Sequence, residues 1–369
     1  MRHSRWLAPW KNSLERPVIY HCVTRVVERR LAFGPDEKEQ FRTYMRMYEN
    51  FSGCRVLSYC LMCNHIHLLL EVPPMKLGGL SDVELLKRLR AIYSEVFVTE
   101  VAKELVEARQ QVKDGLAEES VVVARIHERF TYRMHDLSEF MRTLLLRFSR
   151  WFNKRHERTG ALWESRFKSV LVEEGVASKT MAAYIDLNPV RAGMVPDPAN
   201  YRWSSYGEAM GGGARGNGKK ARAGLVRALM AHKGYEADAR LWTGRVANDY
   251  RSILLENGKE VVKESVNATG KLEAQVVKKG LKTSVANEEH QRLQRGQDVA
   301  LTKVLRCRIR YFTDGAVIGS REFVNEAFER ARDRFGKRRK DGARKMRGAD
   351  PVLTGVLWSL RDLSKNSTD

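Results

Sequence analysis

The chain has 369 residues, with 66 Lys and Arg against 45 Asp and Glu, a formal net charge of +21 and a pI near 9.9. With 43% hydrophobic and 9% aromatic residues it can build packed cores, so wholesale disorder is excluded and about two or three domains are expected. No run approaches the ~18 apolar residues of a membrane helix, the opening MRHSRWLAPWKNSLERP holds no apolar signal block, and five cysteines make a disulfide framework improbable. A cytoplasmic, nucleoid-associated protein with reduced thiols and no membrane partner is therefore expected, and its charge points to polyanions, nucleic acid first among them.

The elements in chain order begin with a β-branched strand over 18–27, followed by a helix over 36–50 with Asp36 as its cap. A hairpin follows, with strands over 54–61 and 65–72, and Pro73-Pro74 ends it. Residues 78–135 change to a charged helical composition and read as a helical insertion. A helix over 137–155, a strand over 166–173 and a helix over 178–187 closing at Asn188-Pro189 then complete β-α-β-β-α-β-α. That alternation predicts an α+β fold, a ferredoxin-like antiparallel sheet with packed helices. Gly-rich, basic 211–224 reads as a linker, 225–300 as a helical region, and 301–350 as a helix-turn-helix with a basic arm.

The most informative segment is Asn64-His65-Ile66-His67, which starts a strand. Side chains alternate along a strand, so His65, His67, Leu69 and Glu71 share one face and Ile66, Leu68, Leu70 and Val72 the other. Two imidazoles at i and i+2 can converge on one cation, although ordinary strand histidines give the same pattern. Cys60 and Cys63 just upstream raise a structural zinc reading, but four ligands along one short strand suit a tetrahedron poorly. Downstream, Tyr184 and Asn188 stand at i and i+4 on one helical face. A tyrosine hydroxyl can act as a covalent nucleophile beside a metal, and an internal tyrosine with an asparagine cap before proline is the plain alternative.

These residues also resemble a known family. His65-Ile66-His67 looks like the histidine-hydrophobe-histidine motif of the HUH single-tyrosine nucleases, and YIDLNPVRAGMV at 184–195 is similar to the tyrosine helix of the REP-associated tyrosine transposases, within the insertion-sequence transposases of that type. Asn64, RTGALWESRFKS at 158–169 and YRWSSY at 201–206 extend the resemblance, which covers about residues 16–210. It implies an HUH nuclease palm and a DNA nicking and rejoining enzyme that acts on single-stranded DNA near palindromic hairpins, using Mg2+ or Mn2+. By the same resemblance His65, His67 and Asn188 would be metal ligands, and Tyr184 the nucleophile forming a 5′-phosphotyrosine. The 78–135 insertion and everything past 220 lie outside the family's core.

Between 140 and 169 eight basic residues, among them Arg147, Arg150, Lys154, Arg155, Arg158, Arg166 and Lys168, face two acidic ones, with Trp151 and Trp163 interleaved. Such mixtures hold single strands, cations on phosphates and rings on bases. From 337 to 347 seven basic residues, including Lys337, Arg338, Arg339 and Lys340, accompany one acidic one, as in an arm that contacts duplex DNA. A catalytically inactive relative acting as a nucleic-acid-binding regulator is the alternative function, and a monomer or a dimer is equally compatible with the sequence.

Overall fold

The structure is a computed structural model that describes residues 6–75, 77–211, 217–230, 238–257, 261–266, 272–278, 310–313, 315–335, 339–346 and 357–360. Strand β1 (Val18–Arg25) is buried along all but its last residue, as its β-branched run demands of a strand covered on both faces. Helix α1 (Pro35–Ser52) follows, starting one residue before the expected cap. Pro35 supplies the first turn, and Glu37 Oε2 accepts from the Gly34 N–H at 2.9 Å, so Asp36 sits inside the helix. Strands β2 (Arg55–Leu61) and β3 (His65–Val72) form the expected hairpin.

The expected insertion folds as helices α2 (Asp82–Leu89), α3 (Glu95–Lys113) and α4 (Glu119–Thr131). Ser81 and Ser94 cap the first two through their hydroxyls. Val98, Val101 and Leu105 of α3 pack with Val123 and Phe130 of α4, so the insertion is continuous with the main core rather than separate from it. Helix α5 (Leu137–Arg155) and strand β4 (Lys168–Val172) return the chain to the sheet. The order β2-β3-β1-β4, antiparallel throughout, is that of the ferredoxin-like fold.

Alternation along the strands divides the interior in two. Tyr20, Cys22, Ile66, Leu68 and Leu70 face α1 and α5, where Phe41, Met45 and Phe148 fill the space. Ile19, Leu69, Val170 and Val172 face the other way, towards α6 (Val176–Asp186), the short α7 (Asn188–Arg191) that continues from it, and α8 (Ser205–Gly211).

Three expectations for the second half change. The sequence 211–224 suggests a linker, but α9 (Asn217–Leu229) begins within it and seats Ala221, Leu225 and Ala228 on the core, because its apolar residues recur at helical spacing. In 225–300, α10 (Gly244–Asn257) is helical as expected, whereas β5 (Val261–Val266) and β6 (Leu272–Lys278) form an antiparallel pair. Where the turn of a helix-turn-helix was expected, β7 (Val317–Gly319) pairs parallel with β4. The apolar Val317 and Ile318 satisfy the otherwise open edge of β4, and a sheet edge outbids a local turn preference. Strands β8 (Arg344–Lys345) and β9 (Trp358–Leu360) complete a seven-stranded sheet. The following helix, Arg321–Glu329, buries Phe323, Val324 and Phe328 in the first core, so that face cannot read a groove. The helix expected before the turn is described only as Arg310–Thr313, and 301–309 lie outside the described residues. No helix among the described residues is long and apolar enough to cross a membrane.

Candidate active site

Three strands bring one row of side chains together on the α6 face. In the β1–β3 register Arg25 stands opposite His65, Val23 opposite His67 and His21 opposite Leu69. On the other side of β1, Val23 stands opposite Lys168 and His21 opposite Val170. Directly paired residues point to the same face, so His21, Arg25, His65, His67 and Lys168 share it.

His67 is 2% exposed and its ring meets that of His65 edge-on, with centroids 5.0 Å apart. His65 is half-buried, and its Nδ1 lies 2.7 Å from Asn64 Oδ1, which orients the ring. Because an amide oxygen only accepts, His65 Nδ1 carries the proton and its Nε2 the lone pair. Burial first, then the charge of Arg25, brings His65 down to about 4, and burial holds His67 well below the ordinary histidine value. Both are neutral near pH 7, the state in which imidazole can ligate a metal.

Helix α6 brings Tyr184 to the same place. Its ring centroid lies 5.8 Å from that of His67 and 6.0 Å from that of His21, both edge-on, and the residue is 3% exposed. Phe312, from the one-turn helix near the C-terminal strands, stacks on it at 4.7 Å and 10°. Asn188 is one turn on, as its i+4 spacing requires, and its Nδ2 donates to the carbonyls of Tyr184 and Ile185 at 3.0 and 3.2 Å. Its Oδ1 is thereby the atom left to act as a ligand. Cys60 stands opposite His67 and is fully buried, and Cys63 Sγ accepts from Lys38 Nζ of α1. Among the described residues no three His, Cys, Asp or Glu side chains form a group that could hold a metal.

Sequence reasoning missed three residues. Alternation along β1 puts His21 and Arg25 on one face, but only the β1–β3 register makes that the histidine face. Arg191 is the third. Its guanidinium lies 5.2 Å from the Tyr184 ring centre, its Nη1 donates to the Tyr184 carbonyl at 3.4 Å, and its Nε and Nη2 are buried with no hydrogen-bond partner among the described residues.

The predicted DNA-contacting set is split by the sheet. Arg166 and Lys168 line a cleft of about 170 Å3 with Arg25, Arg29 and Thr313, beside His65. Arg147, Arg150, Lys154 and Arg155 belong to α5 on the opposite face, where Arg147 lies over Tyr44 and Arg155 pairs with Asp36. Arg158 lies over Phe152. Trp163 packs against Phe33, Phe41 and Phe148 and donates its Nε1–H to the Leu145 carbonyl, so its ring belongs to the core. In the arm, Arg339 donates to the carbonyls of Asp341 and Gly342, and Lys340 is exposed. Lys337 and Arg338 lie outside the described residues.

Helix α6 also carries a buried carboxyl, Asp186, which accepts from the Tyr206 N–H and the Tyr250 hydroxyl. Burial raises it from 3.8 to about 7, against those hydrogen bonds. Its contribution to stability is complete below pH 3.8 and is lost as pH rises through about 7. His21 and His65, lowered by burial from 6.5 to about 4, act in the opposite sense: their contribution is lost as pH falls from 6.5 towards 4. In Asp186→Asn only the histidine arm remains, so denaturant midpoints should fall more steeply on acidification from pH 7.5 to 4.5 than in the parent chain. Parallel curves would refute this balance.

No curated protein matches this chain. A solved structure described as that of the REP-associated tyrosine transposase bound to a REP hairpin aligns with 58% of this chain and 88% of its own, at 10% identity and a TM-score of 0.34, below the level at which a shared fold follows. Over residues 16–112, which hold β1, β2, β3 and the site histidines His21, His65 and His67 but not Tyr184, the chain matches the family described as IS200-like transposases.

Proposed function

We propose that this protein is a transposase-type enzyme that nicks and rejoins single-stranded DNA at hairpin-associated sites in the cytoplasm, with Tyr184 as nucleophile and Mg2+ or Mn2+ as cofactor. The observation that carries this reading is the meeting of Tyr184 with the His65–His67 pair on one sheet face, from segments more than a hundred residues apart in sequence. The donor types suit such an ion: the two neutral imidazoles of His65 and His67 would hold it, and Asn188, one turn beyond Tyr184, would be the residue to add an oxygen ligand through Oδ1. When bound there, a divalent ion polarises the scissile phosphate and offsets charge on its oxygens.

The protein's own residues supply the rest. Tyr184 gives its hydroxyl proton to water as its oxygen bonds to phosphorus, the bond to the 3′ oxygen breaks, and that oxygen takes a proton from water and leaves as a hydroxyl. Rejoining is the reverse attack, and the covalent link conserves the phosphodiester energy, so no nucleotide is consumed. Arg25, Arg166 and Lys168 in the adjoining cleft are placed to take flanking phosphates. Arg191 stabilises both the forming charge on the phosphoryl oxygens and the tyrosinate. Since Tyr184 is 3% exposed beneath Phe312, the strand reaches it when that ring moves aside.

The test is incubation of the full chain with hairpin-bearing single-stranded DNA and Mn2+, followed by denaturing electrophoresis. A covalent adduct that chelation abolishes is expected. Hairpin binding that survives chelation with no strand cut would instead identify a non-catalytic regulator. Arg191→Met should lower the cleavage rate on the order of 10²-fold while leaving Mn2+ binding unchanged, as removal of one preorganised donor does. A rate within twofold of the parent would remove Arg191 from the chemistry.

A further inference from the structure

His21 takes no part in the chemistry proposed above, yet both of its ring nitrogens are engaged although it is fully buried. A backbone carbonyl can only accept, so the Phe312 oxygen, 2.7 Å from His21 Nδ1, requires the proton of His21 to sit on Nδ1. His21 Nε2 is then the bare nitrogen, and the approach of His67 Nδ1 to 3.0 Å requires the His67 nitrogen to be the donor. The ring planes lie within 11° of parallel, and their centroid separation of 5.2 Å exceeds the N···N distance by about 2.2 Å, twice the distance from an imidazole centre to its nitrogen. The contact is thus an in-line N–H···N bond and not a stack.

We propose that the Phe312 carbonyl, His21 and His67 form a tautomer-fixing chain, in which His21 is a positioning residue that holds His67 in its Nδ1–H form and keeps Nε2 as the ligating nitrogen. This rests on the assignment of His67 as a metal ligand made above. The same form results at His65 by a separate local route, the Asn64 side chain. The two ligands therefore present the same nitrogen, one set by its sequence neighbour and the other by a carbonyl 291 residues away from His21. The segment that adds strands to β4 accordingly takes part in preparing a ligand of the original four-stranded sheet. Such outer partners of a ligating histidine are worth roughly 10- to 100-fold in metal affinity.

The experiment is nitrogen NMR on histidine-labelled, metal-free full chain, together with Mn2+ titration followed by electron paramagnetic resonance. In the wild type, His67 should carry its proton on Nδ1 with Nε2 bare. His21→Phe fills the same space without an acceptor; His67 should then populate both tautomers, and Mn2+ should bind about 10-fold or more weakly. His21→Gln places an amide oxygen near the position of Nε2 and should restore most of both properties. A wild-type His67 protonated on Nε2 overturns the proposal, as does a folded His21→Phe with unchanged tautomer and unchanged Mn2+ affinity. The tautomer is read without DNA, so a chain that shows the expected form but never yields a DNA adduct supports the relay and defeats only the strand-cleaving function.

Discussion

Tyr184→Phe is expected to abolish the covalent protein–DNA adduct and to lower strand cleavage by on the order of 10³-fold or more, because it removes the attacking oxygen. The phenyl ring keeps the stack on Phe312 and the edge contacts with His21 and His67, so the thermal midpoint and Mn2+ affinity should stay close to those of the parent. Both readouts matter, since a variant that has lost its fold would also fail to cut. Cleavage at the parental rate, or an adduct that persists in the variant, would place the nucleophile elsewhere and undo the proposed mechanism.

A second large effect is expected far from the chemistry, at the ion cluster that fixes α9 to the sheet. Glu71 is completely buried on β3, and Arg227 of α9 donates its Nε–H to Glu71 Oε1 at 2.9 Å while its Nη2 reaches Glu71 and Glu174. Arg55, 39% exposed, holds the other Glu71 oxygen at 3.0 Å. Arg227→Ala leaves the carboxylate buried with that one exposed partner, and a buried charge stripped of its counterion costs about 3 to 5 kcal/mol. Urea unfolding should show a loss near the lower end of that range, since Arg55 remains. An Arg227→Met, Glu71→Met double variant, which removes both charges together, should lose less than Arg227→Ala alone. Equal losses in the two would mean that the pair contributes by packing rather than by charge.

The first half of the fold was legible because its signals are local. Val18–Arg25, His65–Val72 and Leu137–Arg155 carry unbroken strand or helix periodicity, and their observed bounds fall within two residues of those expected. The histidine face followed from alternation, and the shared face of Tyr184 and Asn188 from helical spacing. The second half misled where a short apolar segment was judged by its own residues. Val317–Gly319 sits between Gly315 and Ser320, turn-forming neighbours, and became a strand only because β4 offered an open edge. Likewise the basic and aromatic stretch over 140–169 is one patch in sequence but lies on two sides of the sheet, with α5 on one face and Lys168 on the other.

The sequence by itself determined the four-stranded core, the insertion's helical character, which strand face bears the histidines, and which helix bears the tyrosine. Each is a matter of periodicity, which the covalent chain repeats every two or 3.6 residues whatever its surroundings. Only the tertiary structure decided that His21 completes the histidine row, that Arg191 reaches Tyr184, that Trp163 is core, and that Phe312 both stacks on Tyr184 and bonds to His21. These contacts depend on register between strands and on packing between segments as much as 291 residues apart. No local pattern encodes them, since they are selected by burial and by the pairing of polar groups that burial enforces.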